Sequence, residues 1–360
     1  MMRMVAAVFV VVAGVALSGA QQNPAKAPEL TGSVTYEVAS RSGIVQNLMF
    51  TIGDGGGGPY KSVLVGDPNL PTHAIYRPRD LSKFGGTKLM PVVAWANGGC
   101  RNTSGEFRNF LAEVASHGFF VVAIGPAAYA IAMGSEQPTG GTTTSLLFDG
   151  LTWATRENDR VGSPYFHKLA PAKFAVMGQS CGGVQALDAL ADPRVVTAMI
   201  WNSGLLGGGR GGRQGAPAAT AAPATPPAPT APAAPTTTAA APAAGRAGGG
   251  MGMPSVTPDS LKGITIPVAL VAGGPSDLAF AGAKAAFDAL TSAPVFLANR
   301  DVGHYPATYR EPRGGAFATV AVAWLKWRLQ ADSAAARMFA GTDCGLCRDA
   351  KWTVERKNIQ

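Results

Sequence analysis

Apolar residues fall along this chain in short unbroken runs, separated by longer stretches with helical spacing. The runs are Met90 to Ala96, Phe119 to Ile124, Lys173 to Met177, Val195 to Trp201, Ile266 to Val271 and Pro294 to Leu297. They are rich in β-branched or aromatic residues and lack strict alternation, which is the pattern of strands buried on both faces of a parallel sheet. Between them, Phe107 to Ser116 places Phe107, Phe110, Leu111 and Val114 on one helical stripe. Leu146 to Asn158, Val184 to Ala191, Ala279 to Leu290 and Ala316 to Leu329 read the same way. Strands alternating with helices of this length predict an α/β fold, with a mostly parallel twisted sheet and helices on both faces. Upstream, Val34 to Ala39 and Ala74 to Arg77 read as antiparallel edge strands, and from about Ala340 the chain reads as an irregular tail.

Two segments break this pattern. At the N-terminus, Arg3 precedes the apolar run Met4 to Leu17, and Ser18-Gly19-Ala20 follows it. Positive charge, apolar stretch and small residues in that order are a secretory signal, with cleavage expected after Ala20. The run is short for spanning ~30 Å of hydrocarbon. No later stretch has eighteen or more consecutive apolar residues and no Cys stands directly after the cleavage point, so neither a stable membrane anchor nor a lipoprotein anchor is expected. The mature protein should be secreted or periplasmic. The second segment lies inside the alternating pattern: residues 216–244 contain only Ala, Pro and Thr, with Gly- and Arg-rich flanks. With almost no large apolar side chain, nothing offsets the entropy of ordering it. Residues 207–256 are therefore expected to be a disordered insertion within one folded domain, 29–206 and 257–343, ahead of a tail at 344–360.

Composition changes this picture little. Hydrophobic residues make up 47% of the 360, enough for a sizeable core, and the low charged fraction of 14% follows from the low-complexity material. The net charge of +8 comes from scattered residues, with no run of five or six Lys/Arg. Nucleic-acid binding needs a clustered patch to neutralise phosphates, so no nucleic-acid partner is expected.

The chemistry concentrates in Gly178-Gln179-Ser180-Cys181-Gly182, a G-x-S-x-G between the strand Phe174 to Met177 and a helix opening at Val184. Such a serine sits on a sharp turn with its hydroxyl exposed, and the small flanking residues let strand and helix pack closely around it. Of the four histidines, His73, His117 and His167 have nothing that places them near Ser180. His304 lies after the strand Pro294 to Leu297 and before the last helix, where parallel sheets place their sites. Asp277 follows the strand Ile266 to Val271 on a Gly/Pro turn and would orient the imidazole, and Asp301 is the alternative acid. An oxyanion hole needs two backbone donors: Cys181, after the nucleophile, and Gly99 or Cys100 in the loop Asn97-Gly98-Gly99-Cys100.

With this set in the order Ser180, Asp277, His304, the chain resembles the α/β-hydrolase superfamily over most of residues 60–330, excluding the insertion. It is most similar to the branch of dienelactone-hydrolase-like enzymes, cutinases and polyester hydrolases. The resemblance is carried by Gly58-Pro59-Tyr60, Tyr76-Arg77-Pro78, Asn97 to Cys100, Gly178 to Gly183, Asp277 and His304. It implies a secreted serine hydrolase that cleaves small or polymeric carboxylic esters with no cofactor and no metal. It also implies that Trp201 lines the substrate cleft. Cys after the serine and the insertion after Trp201 depart from the branch and leave the substrate range open. An exopeptidase or amidase on the same scaffold is the alternative enzyme, and an inactive binding protein the alternative of another class.

In an oxidising compartment the four cysteines are expected to pair, and four cysteines allow three connectivities. Cys181 and the Asn97–Cys100 loop must both offer donors to one oxygen, which brings their backbones within disulfide range, so Cys100–Cys181 is expected. The C-x-x-C at Cys344 and Cys347 lacks further zinc ligands and reads as a short-range structural disulfide.

Overall fold

A computed structural model of the chain describes residues 49–131, 141–205 and 256–359. The expected signal segment, the strand expected at Val34 to Ala39 and all of the expected insertion except Val256 lie outside the described residues. Ten strands form one sheet: β1 (Met49–Phe50), β2 (Ser62–Val65), β3 (His73–Pro78), β4 (Met90–Ala96), β5 (Phe120–Ile124), β6 (Leu169–Gln179), β7 (Val195–Trp201), β8 (Val268–Ala272), β9 (Val295–Asn299) and β10 (Thr353–Lys357). Their order is β1-β2-β3-β5-β4-β6-β7-β8-β9-β10. The six strands from β5 to β9 in that order are mutually parallel, and antiparallel strands flank them on both sides. The helices among the described residues are α1 (Arg108–Ser116), α2 (Ala127–Ile131), α3 (Thr144–Asp159), α4 (Cys181–Asp188), α5 (Pro258–Lys262), α6 (Phe280–Ala289), α7 (Gly315–Gln330), α8 (Ser333–Ala336) and α9 (Gly345–Arg348).

The unbroken apolar runs are explained by two cores. Along β4, Val93 and Trp95 enter one core while Val92, Ala94 and Ala96 enter the other; along β7, Met199 and Trp201 oppose Ala198 and Ile200. Helices α1 and α7 cover the first face with Phe110, Leu111, Phe317 and Trp324. Helices α3, α4 and α6 cover the second with Leu147, Leu151, Ala186, Leu187 and Phe287. Strands with both faces buried are apolar at nearly every position, so alternation disappears from the sequence.

The structure revises two expectations. Strand β3 is not at an edge, because β2 pairs along its outer side from Ser62 opposite Pro78 to Val65 opposite Ile75. The tail is not irregular: α9 turns the chain into β10, which runs antiparallel to β9 from Thr353 opposite Asn299 to Lys357 opposite Val295. Thr-Val-Glu-Arg-Lys carries a single apolar residue, so this strand is held by its backbone ladder and has no hydrophobic signature. Among the described residues no helix is long and apolar enough to cross a membrane.

Candidate active site

The carboxyl ends of β4, β6, β8 and β9 converge on one edge of the sheet, where the strand order reverses around β4 and β6. Crevices at such reversals are where open parallel sheets hold ligands. Strand β6 passes through Gln179 into Ser180, which caps α4 with φ 54° and ψ −120°. A side chain in that backbone region costs on the order of 1–3 kcal/mol and persists only when the surroundings fix it. Here Ser180 N donates to Trp201 O at 3.0 Å, and Ser180 O accepts from Ser203 Oγ at 2.6 Å. Two motif glycines make the turn possible by close approach. A Cβ on Gly178 would lie 2.1 Å from Gly182 O, and one on Gly182 would lie 2.2 Å from Ala96 O, at the end of β4.

Ser180, Asp277 and His304 are brought together. Ser180 Oγ and His304 Nε2 are 2.8 Å apart, and His304 Nδ1 lies 2.6 Å from Asp277 Oδ1. Burial of Asp277 works against its ionisation. Hydrogen bonds from His304 Nδ1, Ala279 N, Asn202 Nδ2 and Gly273 N outweigh that burial and hold its carboxyl below the ordinary carboxylate range. A carboxylate only accepts, so the imidazole proton sits on Nδ1 and Nε2 accepts from the serine hydroxyl. The alternative acid, Asp301, is exposed and accepts instead from Ser276 Oγ at 2.7 Å.

The other histidines stand elsewhere. His73 is buried on β3 between Thr72 Oγ1 and Leu146 O, each at 2.9 Å. His117 pairs with Glu113, and exposed His167 stacks on Phe166.

Cys100 and Cys181 form a disulfide with a Cα–Cα distance of 5.1 Å, which ties the β4 loop to the first residue of α4. Gln185 Nε2 reaches Cys100 Sγ at 3.3 Å, and Cys100 O accepts from Thr142 N and Oγ1. Within this loop Gly99 is exposed and Cys100 enclosed. The second disulfide, Cys344–Cys347, closes the turn that opens α9.

Trp201 does not line the cleft. It is fully buried, with its ring between Phe110 and Phe317, because the final position of β7 faces the core beneath α1 and α7.

Three residues that the sequence reading passed over complete the arrangement. Asn202 donates to Asp277 Oδ2 at 2.9 Å and to Gly303 O at 3.1 Å, and accepts from Tyr309 OH at 2.8 Å. It thus ties the loops of Asp277 and His304 to one side chain. Gln179 Nε2 donates to His304 O at 3.0 Å from the strand that carries Ser180. The one available signal is a polar pair at the end of a buried run, Asn202-Ser203 after Trp201.

No model of a known protein family matches the chain, and a search of curated proteins finds no match.

Proposed function

We propose that the protein is an exported serine hydrolase of carboxylic esters, built on an α/β-hydrolase fold. The observation that carries this reading is the unbroken hydrogen-bonded relay from Ser180 Oγ through His304 to Asp277, with the acid held ionised. Ser180 Oγ attacks the ester carbonyl as its proton passes to His304 Nε2, and Asp277 stabilises the imidazolium through Nδ1–H. The carbonyl oxygen becomes an oxyanion that accepts from the backbone N–H of Cys181 and of Gly99 or Cys100 in the β4 loop. His304 then gives its proton to the departing alkoxide, leaving an acyl-serine. Water attacks the acyl group with His304 as base, and Ser180 leaves with the proton. The two disulfides fit an oxidising compartment.

The test is hydrolysis of 4-nitrophenyl acetate by the purified protein and by Ser180→Ala. The variant should fold and lose at least about 10³-fold in kcat/KM. A fluorophosphonate should label wild type on Ser180 alone. Full turnover in Ser180→Ala, or labelling elsewhere, overturns the reading.

A further inference from the structure

Five large apolar side chains are exposed among the described residues, and three of them adjoin the relay: Leu278 at 73%, Tyr305 at 59% and Val302 at 38%. Leu278 follows Asp277 in the chain, while Val302 and Tyr305 lie two residues before and one after His304. The Tyr305 ring meets the His304 ring edge-on, with centroids 4.5 Å apart and planes at 84°. Its Cε1 also lies 3.7 Å from the point where a Cβ on Gly98 would stand. The ring therefore spans from the base to the β4 loop and stays open to solvent. Exposed apolar side chains on the loops that carry a reactive relay mark a surface that a ligand covers.

The side on which they stand identifies what covers them. In ester cleavage His304 Nε2 must reach the leaving oxygen to protonate it, so the alcohol half of the substrate extends past the imidazole. All three side chains belong to the two loops that carry Asp277 and His304. We infer that Leu278, Val302 and Tyr305 form a wall for the alcohol portion of the substrate, and that the preferred substrates are esters of apolar alkyl or arylalkyl alcohols. This rests on the ester-hydrolase reading above.

The test compares kcat/KM for ethyl, butyl and hexyl acetate, which vary the alcohol, with ethyl acetate, butyrate and hexanoate, which vary the acyl group. A fully buried methylene is worth about fourfold. Along a partly open wall the hexyl-to-ethyl ratio should reach about tenfold or more. In the combined variant Leu278→Ser, Val302→Ser, Tyr305→Ala that ratio should fall to within about twofold, whatever happens to the absolute rates. Tyr305→Phe should keep it, and the acyl series should keep its own ratio in every variant. An alcohol-chain ratio that survives the combined variant overturns the inference and shows that something other than substrate covers the wall, such as residues 206–255 of this chain. An acyl-chain ratio that collapses in its place assigns the wall to the acyl side and also overturns it.

If no ester is cleaved in a Ser180-dependent way, the hydrolase reading fails instead. Binding of N-hexylacetamide against N-ethylacetamide, followed by ligand-observed NMR in the same variants, then decides the wall: equal binding of the two amides to wild type rejects it.

Discussion

Removing the Cys100–Cys181 crosslink should cost this protein far more than removing Cys344–Cys347, and should also slow the chemistry. The two bonds span 81 and 3 residues of sequence. In the chain-entropy model the difference between them depends only on the ratio of these spans, 1.5RT ln(81/3), or about 3 kcal/mol. Taken singly, the long loop is worth ~4.5 kcal/mol and the short one ~1.6 kcal/mol. In Cys100→Ala with Cys181→Ala, Gln185 Nε2 loses a weak sulfur acceptor at 3.3 Å but keeps Thr142 O at 2.7 Å and Thr142 Oγ1 at 3.3 Å, so this adds little. For a folded body of this size the long-loop variant should melt roughly 10–20 °C lower and the Cys344→Ala/Cys347→Ala variant roughly 3–6 °C lower. Native domains hold about 5–15 kcal/mol, so in all but the least stable of that range the long-loop variant still folds at 25 °C and can be assayed. On the proposed mechanism its ester turnover should fall about tenfold or more, because the bond ties together the two segments proposed to supply the oxyanion donors, and losing one donor outright costs 10²–10³. Urea titration and calorimetry of the three proteins, unreduced, give the stabilities, and 4-nitrophenyl acetate gives the rates. Equal costs for the two deletions would refute the loop argument. Full turnover in a destabilised long-loop variant would show that the bond restrains only the unfolded chain and not the site.

Other outcomes follow from burial and close packing. Burial on β3 disfavours the His73 imidazolium and lowers its pKa from 6.5 to about 4. Between those values the unfolded chain takes up a proton that the fold refuses, so stability is present above about pH 6.5 and declines as pH falls toward 4, by up to roughly 3 kcal/mol. Urea midpoints at several pH values should show this slope in wild type and lose it in His73→Gln. Gly182→Ala would press a methyl into Ala96 O, costing about 3 kcal/mol and most turnover, whereas a methyl at Gly263 meets nothing within 4 Å and should leave the melting temperature within about 2 °C.

Much of this was legible in the residues because parallel strands buried on both faces advertise themselves. Met90–Ala96 and Val195–Trp201 are apolar runs broken only by Thr197, and their ends are the ends of β4 and β7. The relay was readable for the same reason, since Ser180, Asp277 and His304 each stand just beyond such a run. What stayed hidden depends on contacts between residues distant in sequence. Asn202 reaches Asp277 across 75 positions and Gln179 reaches His304 across 125, and neither residue type announces a partner. Trp201 went wrong through its direction: an aromatic at a strand end points to either face, and here the pleat turns it under α1 and α7. Strand β10 was hidden because its side chains are mostly charged.

Those same charges have a consequence for how copies of this chain meet. A sheet with a parallel centre ends in rows of unpaired backbone groups that invite another strand to dock. Here β10 covers the row on β9, and it presents Glu355, Arg356 and Lys357, with Glu355 held near Lys284 at 3.4 Å. At the opposite border β1 is two residues long among the described residues. Among the described residues neither border offers a long apolar template, which disfavours polymerising through their strands. Truncation before Thr353 would uncover β9 from Val295 to Asn299, turning a protected border into a nucleus for aggregation beside the loop that carries His304.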